Sequence, residues 1–435
     1  MSEKRRQLLM RRDMTKPLME LAPLPELFEI KTDDGTYAGA WEWIMAGAFP
    51  NWQPKYDMIL NDARCARERV FFLNEYSQPS ASASVQMEEH RALVHMVGTH
   101  PFAAGKGFGK YVVNACLEYM LAHGVKIAEL TTDDFRLPAI RMYLEMGFEP
   151  VIDDEEMDER WKAVMENLAA YKGGKKPEII ELWPDGNIPH FREGNCVPAI
   201  EAYPAEGSKG AVVICPGGAY RIKASHEGRQ IARMLNAAGI SAYVLDYRVK
   251  PCHYEAPLSD AKRAIRTVRA MGYEKVGVMG FSAGGHLTCS AATLYDAGDA
   301  GAADPIERLS SRPDAFIPCY PVASFVSFRH QGSLELLLGE HKTDYALLKR
   351  FSAELNVTGD TPPAFIWHTM TDAAVPVENS INLASALAHA GIKFELHIFP
   401  EGPHGLGLAG GNPVIGKWPA LCQRWLLGLG FGKEE

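Results

Sequence analysis

The chain has 435 residues, 47% of them hydrophobic and 23% charged, with a formal net charge of −9. That length exceeds one ordinary domain, and the composition is that of a globular protein rather than a disordered or fibrous one. The acidic balance argues against a general nucleic-acid binder. No run approaches the ~18 apolar residues of a membrane-spanning helix.

The basic start, Met1 to Lys16, lacks the apolar core of a secretory signal. None of the eight cysteines falls in a C-x-x-C pair, and several lie in apolar runs. They read as free buried thiols in a reducing compartment, with no disulfide framework and no metal site. A cytoplasmic location is therefore expected.

Residues 1–26 read as an N-terminal extension ahead of a first domain at 27–170. The small-residue stretch from Ser77 to Ser84 reads as a hairpin turn running into a strand. Arg91 to Val97 alternates weakly and predicts another strand. A loop follows, Gly105-Lys106-Gly107-Phe108-Gly109-Lys110, and then an apolar stripe at Val112, Val113, Cys116, Leu117, Met120 and Leu121 predicts a helix. A strand, a glycine-rich loop and a helix together make an anion site, because backbone N–H groups and the positive helix end face the ligand. Lys106 and Lys110 would add charge. The spacing fits neither a Walker A loop nor a dinucleotide fingerprint. A plain turn is the alternative.

Ile127 to Thr132 predicts a strand, and the segment from Arg136 a helix that carries Tyr143 and ends at Gly147-Phe148. The carboxylate run Asp153 to Glu156 suits the start of a solvated helix reaching Ala170. Glycine, proline and lysine at 171–178 read as a linker. Over about residues 27–152 this order resembles the GCN5-related N-acetyltransferase (GNAT) family. The resemblance implies a mixed α+β domain whose loop at Gly105–Gly109 holds the pyrophosphate of acetyl-CoA. It also implies that Tyr143 protonates the departing thiolate, although Tyr143 also reads as a packing aromatic. The family usually has Arg or Gln at the position of Ala104, and often Asn at that of Arg136, so the departure implies a loop that still donates its N–H groups but binds the cofactor more weakly. Glu88, Glu89 and His95 are rival bases for an unidentified acetyl acceptor.

The second domain is expected at 179–435. Strand-like runs at 211–215, 241–246, 275–279, 315–319, 363–368 and 393–399 alternate with helical segments, which predicts a doubly wound, mostly parallel α/β sheet. Gly280-Phe281-Ser282-Ala283-Gly284 fits G-x-S-x-G between an apolar strand and a helix, a sharp turn that exposes the serine hydroxyl. Asp372 follows the apolar run 363–368, and His404 follows the run 394–399 in a Gly/Pro loop. Serine, acid and histidine in that order suit nucleophile, orienting carboxylate and general base. Pro216-Gly217-Gly218-Ala219-Tyr220 follows the first strand, so backbone N–H groups of Gly217, Gly218 and Ala219, with Ala283, are oxyanion candidates.

The bland alternatives are a turn serine at Ser282, a helix cap at Asp372 and a loop histidine at His404. Asp314 and Asp360 are rival acids in less suitable places. His286, His368 and His397 read as packing or hydrogen-bonding residues. The segment 323–360 is long for a connection and forms either a lid or edge packing.

Residues from about 179 to 430 resemble α/β-hydrolases of the esterase/lipase group, most of all the acetylxylan and feruloyl esterase-like carbohydrate esterases. The resemblance rests on Val213 to Tyr220, Leu245 to Val249, Ala256 to Ala261, Gly280 to Leu287 and the contexts of Asp372 and His404. Two departures stand out: Ala219 where many relatives carry glycine, and Ala373 where a second Asp is common. The resemblance implies a cofactor-independent serine esterase acting on short acyl esters of small carbohydrates such as acetylated xylo-oligosaccharides. Three functions follow as expectations: an esterase with an appended GNAT-like domain, a protein whose main activity is acetyl transfer from acetyl-CoA, or an esterase regulated by an acetyl-CoA-sensing domain. A peptidase is a further alternative, disfavoured because the chain has no propeller-like repeats.

Overall fold

The computed structural model describes residues 6–433 apart from 27, 50–53, 76–77, 90, 172–176 and 411. They form two compact units, one of the residues up to 176 together with 410–412 and the other of the remaining residues from 177 on. Most of the expected linker, 172–176, lies outside the described residues, as does Ser77 of the expected hairpin turn.

In the first unit the strands are β1 (Leu8–Asp13), β2 (Phe28–Thr32), β3 (Val70–Glu75), β4 (Gln78–Met87), β5 (Ala92–Thr99), β6 (Ile127–Thr132) and β7 (Glu149–Pro150). Their order is β2-β3-β4-β5-β6-β1-β7. Neighbours are antiparallel except β5 and β6, which run parallel and pair only at Ala92↔Ala128 and Leu93↔Glu129. Past that point the ladder stops, leaving the end of β5 unpaired on this side.

The helices of this unit are α1 (Ala38–Ala48), α2 (Asp57–Leu60), α3 (Phe108–Ala122), α4 (Leu137–Glu145) and α5 (Glu155–Ala170). Alternate residues of the strands face two clusters, as the two-residue period of a strand requires. Phe71, Leu73, Ala81 and Ala83 pack with α3, α4 and α5, whereas Val70 and Phe72 pack with Trp41, Ile44 and Tyr56 of the α1–α2 side. Asp154 caps α5, accepting from the Met157 N–H at 2.8 Å.

Two sequence expectations need correction here. Residues 1–26 are not all an extension, because β1 lies between β6 and β7 with register from Leu8↔Thr132 to Asp13↔Ile127. Arginines masked its alternation. Arg11 reaches Glu129 Oε1 at 2.6 Å, and Arg12 is buried, donating to the main-chain oxygens of Met146 and Pro17. Leu121 is 50% exposed, so it leaves the α3 stripe.

The second unit holds β8 (Glu178–Glu181), β9 (Ala199–Tyr203), β10 (Gly210–Cys215), β11 (Ser241–Asp246), β12 (Lys275–Phe281), β13 (Ala315–Cys319), β14 (Ala364–Thr369) and β15 (Phe394–Phe399). They form one sheet in the order β15-β14-β13-β12-β10-β11-β9-β8. The strands from β10 to β15 are parallel to their neighbours, and β9 and β8 add antiparallel pairs at one edge. The central strands are near-continuous buried apolar runs, as a sheet covered on both faces requires. The short edge strands β8 and β9 escaped the sequence reading because Glu178-Ile-Ile-Glu181 and Ala199-Ile-Glu-Ala-Tyr203 are too brief for a clear period.

Helices α6 (Arg229–Ala237), α7 (Ala256–Ala270), α8 (Ala283–Thr293), α9 (Gln331–Leu338), α10 (Tyr345–Arg350), α11 (Glu378–His389) and α12 (Trp418–Gly428) complete the unit. Ala211, Val213 and Cys215 of β10 share a cluster with Leu258 and Ile265 of α7, Leu287 of α8 and Leu383 of α11. The segment between β13 and β14 packs into the same cluster through Leu334, Leu337, Leu338, Leu348 and Phe351. Its apolar side is therefore core.

One buried ion pair fixes the corner between β11 and α7. Arg248 donates to Asp260 through Nη2 at 2.6 Å and Nε at 3.0 Å, and both side chains are fully buried. The next residue back, Tyr247, donates its hydroxyl to the Pro216 carbonyl at 2.6 Å.

Candidate functional site

The G-x-S-x-G turn joins β12 to α8, and Ser282 sits at it with φ 54° and ψ −117°. This is a left-handed conformation that a non-glycine residue adopts only under constraint. The flanking glycines make it passable. A Cβ on Gly280 would lie 2.1 Å from the Gly284 carbonyl oxygen, and one on Gly284 would lie 2.0 Å from that of Cys215. A side chain at Gly280 would drive into the first turns of α8, and one at Gly284 into the end of β10.

The structure brings Ser282, Asp372 and His404 together. His404 Nε2 lies 2.7 Å from Ser282 Oγ, and His404 Nδ1 lies 2.6 Å from Asp372 Oδ2. A carboxylate only accepts, so Nδ1 carries the proton and Nε2 accepts from the serine hydroxyl. Asp372 Oδ1 accepts from the N–H groups of Ala374 and Val375, each at 2.9 Å. Burial alone would raise the Asp372 carboxyl; hydrogen bonds from His368 and His404 outweigh it and hold the group well below the usual carboxylate range. The carboxylate is thus charged and aimed. Asp372 does not cap α11, whose N-cap is Val377. The rival Asp314 instead accepts from Arg269 at 2.9 Å and the Val276 N–H at 2.8 Å.

His368 is one shell behind. Its Nε2–H faces the Val375 carbonyl at 3.0 Å and Asp372 Oδ2 at 3.3 Å, and its Nδ1 accepts from Ser380 Oγ at 2.8 Å. His286 lies on α8, donating from Nε2 to the Phe351 carbonyl at 2.8 Å and accepting from Tyr220 at 2.7 Å. Burial pushes its pKa down to about 4, so it stays neutral and structural. The loop bearing His404 is tied to the acid loop by Thr369 Oγ1, which donates to the Gly402 carbonyl at 2.9 Å, and by the Gly402 N–H, which donates to Thr371 Oγ1 at 2.9 Å.

The oxyanion candidates separate. Gly217 needs correction, because its N–H donates to Glu227 Oε2 at 2.7 Å and is not available to a substrate. Gly218 and Ala219 follow with φ of 126° and 55°. Among the described residues their N–H groups, and that of Ala283, have no protein acceptor. A groove of about 590 Å³ lined by Thr371, Ala373, Ala374, Gly402, Pro403 and His404 opens beside the histidine.

Sequence reasoning missed three contributors. Glu227 and Tyr320 are buried around the oxyanion and histidine loops. Tyr320 ends the run after β13, and its ring meets that of His404 edge to face at 5.2 Å. His330 caps α9, contacting Ser333 Oγ at 2.8 Å. Its pKa is lowered first by burial and then by the field of His404. The long segment after β13 thus brings an N-terminal helix end toward the site while its body packs into the core.

In the first unit the expected anion loop leads into α3 through Gly107, with φ 78° and open space where a Cβ would stand. At Gly109 a Cβ would lie 2.8 Å from Met142 Sδ, so the flexible Met142 side chain would have to shift. The two lysines depart from expectation. Lys106 Nζ lies 2.9 Å from both oxygens of buried Glu75, and Lys110 Nζ lies 2.6 Å from Glu145 Oε2. With Ala104 in place of a cation, this loop offers an anion its backbone N–H groups and helix end. Those groups, beside the unpaired end of β5, fit a pyrophosphate-bearing cofactor. Tyr143 is buried and its hydroxyl is raised above its ordinary value by burial, with Arg136 opposing. Of the three rival bases, Glu88 is tied to Arg91 and Arg64 at 2.7 and 3.0 Å, and the His95 imidazole is pushed below its ordinary value by burial.

All eight cysteines are free thiols. Among the described residues no group of three or more His, Cys, Asp or Glu could hold a metal ion, and no helix is long and apolar enough to cross a membrane.

Residues 202–387 match the BD-FAE family, and residues 37–148 match the Acetyltransferase (GNAT) family. An endo-1,4-beta-xylanase B of Butyrivibrio fibrisolvens is 34% identical over 276 residues, covering 59% of this chain and 43% of that protein. An acetylxylan esterase of Xylanibacter ruminicola is 35% identical over 238 residues, covering 52% of this chain and 46% of that protein. The chain thus spans less than half the length of these two relatives. The crystal structure of an acetyl ester-xyloside bifunctional hydrolase from Caldicellulosiruptor lactoaceticus is 43% identical with a TM-score of 0.58, covering 60% of this chain and all of that one. The chain therefore joins a domain of the GNAT family to an α/β-hydrolase domain of the BD-FAE family.

Proposed function

We propose that the protein is a serine esterase that removes short acyl groups, acetyl above all, from small carbohydrate esters, with Ser282, His404 and Asp372 as its catalytic residues. The observation that carries this is the unbroken chain from Ser282 Oγ to His404 and on to Asp372, at 2.7 and 2.6 Å. Ser282 attacks the ester carbonyl while His404 Nε2 takes its proton, and Asp372 stabilises the imidazolium. The N–H groups of Gly218 or Ala219 and of Ala283 receive the oxyanion. His404 then protonates the leaving alcohol, and water repeats the cycle on the acyl-enzyme.

Ala219 at the oxyanion loop and Ala373 and Ala374 in the open groove suit a small acyl group with a bulky alcohol outside it. The hydrolase named for acetyl esters and xylosides supports an acetylated xylo-oligosaccharide as the substrate. The free buried cysteines suit a reducing cytoplasm, where such substrates are short. The test is hydrolysis of 4-nitrophenyl acetate, butyrate and octanoate, followed by acetylated xylo-oligosaccharides. Fast acetate turnover that falls with chain length is expected; a preference for octanoate would overturn the assignment.

The first unit supports acetyl-CoA binding as a second property, carried by the amide-lined loop at Gly105–Gly109 and the unpaired end of β5. Acetyl-CoA would supply an activated acetyl thioester there. The loop amides would hold its pyrophosphate, and Tyr143 would supply a proton to a departing thiolate. Calorimetry with acetyl-CoA tests this, since heat of binding is expected and its absence removes both the transferase and the sensor readings.

A further inference from the structure

We propose that Glu227 is a positioning residue of the esterase site, which sets the oxyanion loop and couples it to the loop carrying His404. This rests on the esterase assignment. Glu227 ends a short 3-10 turn, Ser225–Glu227, and is 2% exposed. Its two oxygens are used in two directions. Oε2 accepts from the Gly217 N–H at 2.7 Å, and Oε1 accepts from the Tyr320 hydroxyl at 2.6 Å. Tyr320 in turn accepts from the Gly407 N–H at 2.8 Å, three residues past His404. One carboxylate thus spans the loop that follows β10, the loop that follows β13 and the loop that follows β15.

The first link decides which amides face the substrate. With the Gly217 N–H turned onto Glu227, the chain passes into the positive-φ residues Gly218, Ala219 and Tyr220, and the Gly218 and Ala219 N–H groups are left without a protein acceptor among the described residues. The space is tight. A Cβ on Gly217 would lie 2.7 Å from Glu227 Oε2, 2.7 Å from the Phe281 carbonyl oxygen and 3.1 Å from Ser282 Cβ. Glu227 therefore fills the ground directly behind the nucleophile turn. The neighbouring residue reinforces the second link, because His226 Nε2–H donates to the Gly405 carbonyl at 2.9 Å. His226 and Glu227 together hold the histidine loop from the oxyanion side.

A carboxylate suits this place because both partners are donors. An amide in the same volume turns one NH₂ toward a donor and breaks one link. A misplaced oxyanion amide weakens the transition state more than the bound ester.

The test uses the full chain and three variants: Glu227→Gln, Tyr320→Phe and the double variant. The readouts are kcat and KM for 4-nitrophenyl acetate, and inhibition by a trifluoromethyl ketone, which binds serine as an oxyanion. For Glu227→Gln, kcat is expected to fall about 10- to 100-fold, less than the hundred- to thousand-fold of deleting a donor outright. KM should stay within about twofold, and the ketone should weaken by the same factor as kcat/KM. Tyr320→Phe keeps the Gly217 link and should lose less, and the double variant should lose no more than Glu227→Gln. Unchanged kcat in a folded Glu227→Gln, or a KM rise with undiminished ketone binding, overturns the proposal. If Glu227→Gln does not fold, Tyr320→Phe decides through the same split. A wild type without acetate turnover would overturn the esterase assignment itself, and this inference with it; turnover intact in both wild type and variant overturns this inference alone.

Discussion

Under the functions proposed above, the two glycine-bearing loops of this chain reach opposite solutions to holding a negative charge. At the hydrolase site the two buried carboxylates near the nucleophile, Asp372 and Glu227, are committed to other groups of the site. Asp372 is held by two backbone N–H groups and two histidines, and Gly217 is held by Glu227. The amides left over are those of Gly218, Ala219 and Ala283. At the first-unit loop the nearby cations are committed away from the site, Lys106 to Glu75 and Lys110 to Glu145. The first arrangement is preorganised for a charge that appears only in a transition state. The second would offer amides and a helix end to a charge already present on a bound cofactor. The difference teaches that lysines within a glycine loop are not ligands merely because of their position.

The largest expected effect falls on the hydrolase side. Asp372→Asn keeps the shape but loses the charge and the tautomer of His404, so kcat for 4-nitrophenyl acetate should fall about 10³- to 10⁴-fold, read by steady-state kinetics. A loss under tenfold would mean that the acid is elsewhere. Next comes the corner behind the oxyanion loop. Arg248→Ala leaves Asp260 buried without its partner and should destabilise the second unit by about 3–5 kcal/mol, measured by denaturant unfolding.

The third effect is a pH slope. His286 has its folded pKa pushed down to about 4 by burial, while the unfolded chain titrates near 6.5. Between those values the unfolded state binds the extra proton, so stability falls as pH falls across that window, by about 3 kcal/mol in all. His286→Gln should flatten this component in unfolding curves taken at several pH values; an unchanged slope would contradict it. Asp372 acts at lower pH: its stabilisation is present above about 4 and is lost as pH falls below that. The smallest effect sharpens the contrast directly. Glu75→Gln should release Lys106 toward the loop and tighten acetyl-CoA about threefold, measured by calorimetry. Unchanged affinity would mean that the lysine stays folded back for another reason.

The core of the second unit was legible because its strands are apolar runs set apart by helices; β10 to β15 lie within two residues of their expected bounds. Ser282, Asp372 and His404 were legible because each follows a strand end and carries its own turn chemistry. Glu227 was not, because a lone acid in the helix-like run Ser225 to Ala237 has no periodic signature. Its role depends on Tyr320 and Gly407, 93 and 180 positions away. β1 was missed because a buried arginine, Arg12, broke its alternation. The lysine pairings of the first-unit loop depend on Glu75 and Glu145, which only the folded sheet and α4 bring near.

The most direct test of the central claim is labelling with a fluorophosphonate, followed by intact mass and peptide mapping. One adduct on Ser282, absent in Ser282→Ala and slowed in Asp372→Asn, is the result this account predicts. No adduct on the folded protein, or an adduct on another residue that survives Ser282→Ala, would contradict it.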